Sequence, residues 1–164
     1  MSSNQLFEIK RILIPYDFSE TAALSLEHAV FMAKLLKADI YLLHILESVS
    51  FTSAFGAAFG NVDKKLESES NTKLEEIGKQ IHMNNGITVK SITEVGRIYR
   101  KIVDVAKRER VDIIIMGTHG VSGYKKFNVG TNTSKVVEEA GCPVISVQTH
   151  SKKIGFKKIP IEGT

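Results

Sequence analysis

At 164 residues and 18.1 kDa, 43% apolar and 24% charged, the chain has the size of one ordinary domain and enough apolar material for its own core. Lys152, Lys153, Lys157 and Lys158 against Glu162 put three of the four net positive charges into residues 150–164; the body is then nearly neutral, and no nucleic-acid-binding face is expected. A single cysteine excludes a disulfide framework and a zinc site of several thiolates. No apolar run reaches the roughly 18 residues of a membrane span, and the polar start Met1-Ser-Ser-Asn-Gln lacks a signal-peptide centre, so a cytoplasmic protein without membrane contact is expected.

In chain order, short unbroken apolar runs alternate with longer helical patterns. Arg11–Pro15 reads as the first strand, followed by a helix over Glu20–Lys37, capped by Ser19, with Leu24, Val30/Phe31 and Leu35 on its apolar stripe. The second strand is Ile40–Leu46. After it, residues 48–60 form an insert of small residues in which Phe51, Phe55 and Phe59 recur every fourth position. A helix over Val62–Met83, carrying Leu66, Leu74, Ile77 and Ile81, ends at Asn84-Asn85-Gly86 and leads to a third strand, Ile87–Thr93. Arg97–Arg110 is the third helix, with Ile98, Ile102, Val105 and Ala106 inward. Its basic positions Arg97, Arg100, Lys101, Lys107 and Arg108, interrupted by Asp104 and Glu109, read as a solvated face. Val111–Met116 is the fourth strand, Thr131–Ala140 the fourth helix, ended by Gly141 and Pro143, and Val144–Val147 the fifth strand.

Strands joined by helical crossovers are parallel and right-handed, so the expected fold is an α/β doubly wound sheet of five parallel strands with helices on both faces. Its ligand belongs beyond the carboxyl ends of the strands, where the winding reverses.

The segment after the fourth strand carries the chemistry. Gly117, Gly120 and Gly130 allow backbone to approach a ligand closely, and Thr131, Thr133 and Ser134 open a helix whose first N–H groups favour an anion. A generic Gly-Thr pair also serves simply to turn the chain and cap a helix. A Walker A loop is excluded because the only Gly-Lys pair, Gly78-Lys79, is followed by Gln80; a dinucleotide fingerprint is excluded because no G-x-G occurs. A receiver domain would need several acids at the first strand and a lysine after the fifth, where this chain has Asp17 and Gln148.

The spacing G-x2-G-x9-G-[ST], met by Gly117, Gly120, Gly130 and Thr131, resembles the ATP-binding signature of the universal stress protein family. Ile14-Pro-Tyr-Asp-Phe-Ser19, Leu42-Leu-His-Ile45, Met116-Gly-Thr-His-Gly120 and Gly141-Cys-Pro-Val-Ile-Ser-Val147 resemble that family's first, second, fourth and last strands, together spanning about residues 9–148 in order. The resemblance implies strand order 3-2-1-4-5. It also implies a nucleotide, ATP or its ADP or AMP form, with Mg2+ or Mn2+ held through the phosphates. By motif position Pro15, Tyr16 and Asp17 flank the nucleoside, Ile45 lines the adenine pocket, and Met116, Gly117, His119, Gly120, Gly130, Thr131, Asn132 and Thr133 surround ribose and phosphates. Two departures stand out: Phe127-Asn128-Val129 before Gly130 in place of a Leu-rich pair, and Phe18 where many members carry Gly, which reshapes the turn after Asp17.

Asp17 is open to three roles: ribose, a phosphate-bound metal, or the turn itself. Cys142 reads as an inert, buried thiol. The five histidines show no metal-ligand spacing, and His119 in the glycine loop could meet phosphate or structure the loop. The insert reads as packed on the body, against a lid or a partner surface. Residues 1–149 are the expected nucleotide-binding domain. In the basic tail 150–164, Ile159-Pro-Ile-Glu162 echoes Ile14-Pro-Tyr-Asp17, so it reads as a disordered terminus or as part of a second copy, since members of the family often occur as tandem domains.

The resemblance further implies a homodimer through the edge strand Val144–Val147 and a regulatory partner whose identity is unknown. Three functions compete at this level. The first is an ATP-binding regulatory protein with no catalytic residues. The second is a slow ATPase or phosphoryl or adenylyl transferase, for which Lys125 and Lys126 are the nearest cations, and the third a partner-binding module without nucleotide.

Overall fold

The computed structural model describes residues 8–47, 56–118 and 130–148, the side chains of 56–63 apart. Its elements are β1 (Arg11–Pro15), α1 (Glu20–Leu36), β2 (Asp39–Leu46), α2 (Gly56–Asn85), β3 (Val89–Val95), α3 (Ile98–Arg108), β4 (Ile113–Gly117), α4 (Thr131–Glu139) and β5 (Val144–Val147). The five strands form one sheet in the order β3-β2-β1-β4-β5, every pair parallel, as the alternation of apolar runs and helices required. The winding reverses between β1 and β4, where Ile12 lies beside Ile113 and Leu13 beside Ile114.

Alternation along the strands divides the core in two. Ile12, Ile14, Ile40 and Leu42 point to one face and are covered by Leu26, Ala29 and Ala33 of α1 and Leu74, Ile77 and Ile81 of α2. Leu13, Leu43 and Ile114 point to the other, under Tyr99, Ile102 and Val105 of α3 and Val136 of α4. Each helix therefore crosses from the carboxyl end of one strand back to the amino end of the next, and all four helices begin at the end where the winding argument places a ligand.

Local chemistry sets the boundaries. Ser19 accepts from the Ala22 N–H at 3.1 Å and caps α1, while Lys37, at φ 55°, closes its other end. Gly86, at φ 68°, ends α2 with its N–H on the His82 carbonyl at 2.8 Å, a left-handed position that suits glycine. The Asp112 carboxylate accepts from the N–H groups of both Lys10 and Arg11 at 2.8 Å, tying the start of β1 to the start of β4.

The structure corrects three expectations. In α1 the helical period is right and Val30 lies in the core as expected, but the rest of the stripe shifts: Ala22, Leu26, Ala29 and Ala33 face the sheet with it, whereas Phe31 and Leu35 lie on the outer side and Leu24 is only partly buried. Small alanines on that face let the helix sit close on β1 and β4. On α2 Leu66 is half exposed, and the helix starts at Gly56, so it absorbs the end of the small-residue insert; Phe51 and Phe55 lie outside the described residues. The third strand is Val89–Val95 rather than Ile87–Thr93, because it follows its neighbour: Ile40 to Leu46 of β2 pair residue by residue with Val89 to Val95.

Candidate functional site

β1 and β4 end side by side at the reversal point, which sets Pro15, Tyr16 and Asp17 beside Met116 and Gly117. Side-chain parity then sorts the expected residues. Pro15 is two positions beyond Leu13, Ile45 two beyond Leu43 and Met116 two beyond Ile114, so all three lie on the α3/α4 face at neighbouring strand ends. Met116 is buried, and Ile45 packs against the same cluster, giving an apolar floor.

Tyr16 has the opposite parity. Its ring is buried in the α1/α2 core, and burial, with the Asp17 charge second, raises its hydroxyl pKa above the ordinary phenol value. The Tyr16 carbonyl accepts from His44 Nδ1 at 2.8 Å; since a carbonyl only accepts, Nδ1 carries the proton. The His44 ring lies 4.8 Å from that of Phe18, which meets Tyr16 edge-on at 5.3 Å. Phe18 sits at φ 62°, the left-handed conformation a glycine would take, so the turn keeps a glycine's backbone while carrying a ring that braces β1 against β2. Asp17 is committed to the same turn: its carboxylate accepts from the Ser19 N–H at 3.1 Å.

On the β4 side, the glycines are required by the protein's own packing. A Cβ on Gly117 would lie 2.6 Å from the Thr21 methyl, and one on Gly130 would lie 2.6 Å from the Thr118 carbonyl oxygen. That oxygen accepts the Gly130 N–H at 3.0 Å, which draws the start of α4 onto the end of β4. Thr133, itself buried, completes the joint by donating its hydroxyl to the Gly117 carbonyl at 3.2 Å. Its hydroxyl is therefore a strut. What the turn of helix offers a ligand is backbone: Gly130 provides no side-chain cap, and the N–H groups of Thr131, Asn132 and Thr133 have no acceptor within the helix. These residues fit an anionic ligand of the phosphate type. His119 and Gly120 of the expected set, and Lys125 and Lys126, lie outside the described residues.

The model of the universal stress protein family matches residues 8–148. The chain belongs to the universal stress protein family. Among its curated relatives is universal stress protein MJ0577 of Methanocaldococcus jannaschii, 35% identical over 154 residues, covering 85% of this chain and 94% of that protein. The solved structure of MJ0577 superposes with a TM-score of 0.78 at 34% identity, covering 87% of this chain and 97% of that one. Two more distant universal stress proteins share the fold and were solved with nucleotides: one in complex with cAMP (TM-score 0.62, 15% identity, 86% and 98% coverage) and one from Archaeoglobus fulgidus in complex with dAMP (TM-score 0.55, 19% identity, 87% and 99% coverage).

Of the remaining expectations, Cys142 is partly buried against the α3/α4 core, and burial, with Asp112 second, raises its thiol pKa, as suits an unreactive cysteine. Among the described residues no group of His, Cys, Asp and Glu has the arrangement of a metal site, and no helix is long and apolar enough to cross a membrane. One feature escaped the sequence reading. The basic face of α3 divides in two: Lys101 and Arg108 are paired with Glu94 at 3.1 and 2.7 Å, while Arg97 and Arg100 gather around Tyr99. The signal was the unusual density of cations around a tyrosine at the start of a helix, Arg97-Ile-Tyr-Arg-Lys101.

Proposed function

We propose that this universal stress protein binds an adenine nucleotide, ATP or its ADP or AMP form, at the β1–β4 reversal point and works as a nucleotide-dependent regulator. The observation that carries the reading is the placement at the start of α4, next to Gly117, of three N–H groups that have no acceptor within the helix, on the side of the sheet where Pro15, Ile45 and Met116 form an apolar floor. A flat apolar base and a polyanionic tail match those two halves. Two other proteins of this fold take cAMP and dAMP, so the fold accommodates such ligands.

In this reading, Asn132 and the Thr131 hydroxyl supplement the backbone at the phosphates, His119 and Gly120 complete the loop, and Mg2+ or Mn2+ is carried by the phosphates themselves. Tyr16 contributes its backbone alone, because its ring is spent in the opposite core. β5 is an edge strand with Ile145 exposed, which supports pairing of two copies along Val144–Val147. The test is calorimetric titration of nucleotide-free protein with ATP, ADP, AMP and GTP, alongside mass spectrometry of nucleotide retained through purification. Saturable adenine-nucleotide binding weakened by Asn132→Ala supports the reading; no heat and no retained nucleotide refute it.

A further inference from the structure

The half of the α3 basic face that is not ion-paired forms a cluster with α4. Arg100 donates from Nε to the Tyr99 hydroxyl at 3.1 Å, its guanidinium carbon is 5.9 Å from the Tyr99 ring centre, and Lys135 of α4 places its ammonium 4.7 Å over the same ring. Arg97, the residue before α3, makes no cap bond with its side chain, which joins those acting on the Tyr99 hydroxyl. Hydrogen bonding from Arg100 first and Arg97 next, with the Lys135 charge adding to it, holds the Tyr99 pKa below the ordinary phenol value.

None of Arg97, Arg100 and Lys135 has a carboxylate within ion-pairing distance among the described residues. Asp104 and Glu139 act on Arg100 only at longer range. Three cations thus converge on one nearly buried, neutral phenol, while Lys90, Lys101 and Arg108 on the neighbouring surface each hold a glutamate. Such an arrangement repels itself, and a π-face offsets little of that repulsion. A ligand with two or more negative charges and several acceptor oxygens removes it. Phosphate has that charge, and its oxygens match the guanidinium fork.

Position supports the same chemistry. α3 and α4 cover one face of the sheet, the face of Pro15, Ile45 and Met116, and both start at the carboxyl end of the strands. Lys135 is four residues after Thr131, on the same side of α4. We propose that Arg97, Arg100 and Lys135 form a phosphate subsite at the seam of α3 and α4, taking either the distal phosphates of a nucleotide in the crevice or a free polyphosphate. In its first form the proposal rests on the nucleotide reading above, and the subsite then sets preference by phosphate number.

The test compares wild-type protein with Arg97→Gln/Arg100→Gln and with Lys135→Met, titrating each with ATP, AMP and inorganic tripolyphosphate; urea denaturation checks that the variants fold. The expected result is ATP and tripolyphosphate weakened roughly ten- to a hundredfold in the double variant, as for loss of charged hydrogen bonds, and AMP by less than about twofold. A second readout follows tyrosinate absorbance at 295 nm against pH, with Tyr99→Phe identifying the Tyr99 step. Bound tripolyphosphate adds negative charge and draws Arg100 from the hydroxyl, so that step moves to higher pH. Competition between ATP and tripolyphosphate assigns the subsite to the nucleotide's own phosphates; simultaneous binding assigns it to a free polyphosphate. Wild-type protein that takes tripolyphosphate with the Tyr99 shift but no adenine nucleotide refutes the crevice reading and leaves the subsite standing. Equal weakening of ATP and AMP, or wild-type protein without tripolyphosphate binding and without the Tyr99 shift, overturns the subsite.

Discussion

Replacing Gly130 with alanine separates what the glycine does for the protein from what it does for a ligand. Gly130 has φ −57°, which any residue adopts, so backbone freedom is not the reason for glycine here. The reason is space: the new Cβ would lie 2.6 Å from the Thr118 carbonyl oxygen, which cannot swing aside because it is main chain. That oxygen accepts the Gly130 N–H at 3.0 Å, and Thr118 is held in turn through its N–H on the Val147 carbonyl at 2.9 Å. Relieving the clash means lengthening these bonds. Overpacking of this kind costs about 1–3 kcal/mol, and a weakened buried hydrogen bond adds about 1 kcal/mol, so Gly130→Ala should lose roughly 2–4 kcal/mol. Gly141 is the control, since nothing lies within 4 Å of its Cβ position. Gly141→Ala should be neutral or gain up to about 1 kcal/mol through the unfolded chain. Urea denaturation of both variants without nucleotide is the assay. Gly130→Ala as stable as Gly141→Ala would refute the packing argument. If it holds, loss of nucleotide binding in Gly130 variants reports a displaced helix, and Asn132 is the better probe of the site.

Three further outcomes follow from other parts of the structure. Thr133→Val keeps shape but leaves the Gly117 carbonyl without its 3.2 Å donor, and should cost about 1–3 kcal/mol in denaturant unfolding; an unchanged midpoint would show that the hydroxyl is no strut. Phe18→Ala keeps the left-handed strain at φ 62° and loses the ring contacts, whereas Phe18→Gly loses the contacts and the strain together, so the glycine variant should be the more stable by about 1 kcal/mol; the reverse order would contradict the turn geometry. The hydrogen bond from Arg108 to Glu94 and that from Lys90 to Glu109 lower both carboxyl pKa values against the opposing effect of burial. Their stabilisation is present above the ordinary carboxylate pKa and is lost as pH falls through the depressed one. Unfolding midpoints measured from pH 7 down to pH 3 should therefore fall less steeply for Glu94→Gln than for the parent, and parallel curves would count against the pairing.

By itself the sequence determined the order of elements and the parallel doubly wound sheet, because strand runs, helical periods and crossover handedness are local or nearly local properties. The glycine spacing and the run from Ile14 to Ser19 were enough to indicate the family. Tertiary structure decided what depends on distance between segments far apart in the chain. It turned α1 onto Ala22, Leu26, Ala29, Val30 and Ala33 and left Phe31 and Leu35 outward, because close approach to β1 and β4 governs burial. It showed that Gly117 and Gly130 are needed against Thr21 and Thr118, neighbours that no motif names. It sent the Tyr16 ring to the opposite core from Met116 by strand parity. And it split one basic helix face in two, since Glu94 reaches Lys101 and Arg108 across from β3 while Lys135 arrives from α4 to join Arg97 and Arg100 around Tyr99; helical spacing alone gives these four residues of the α3 face the same outward address.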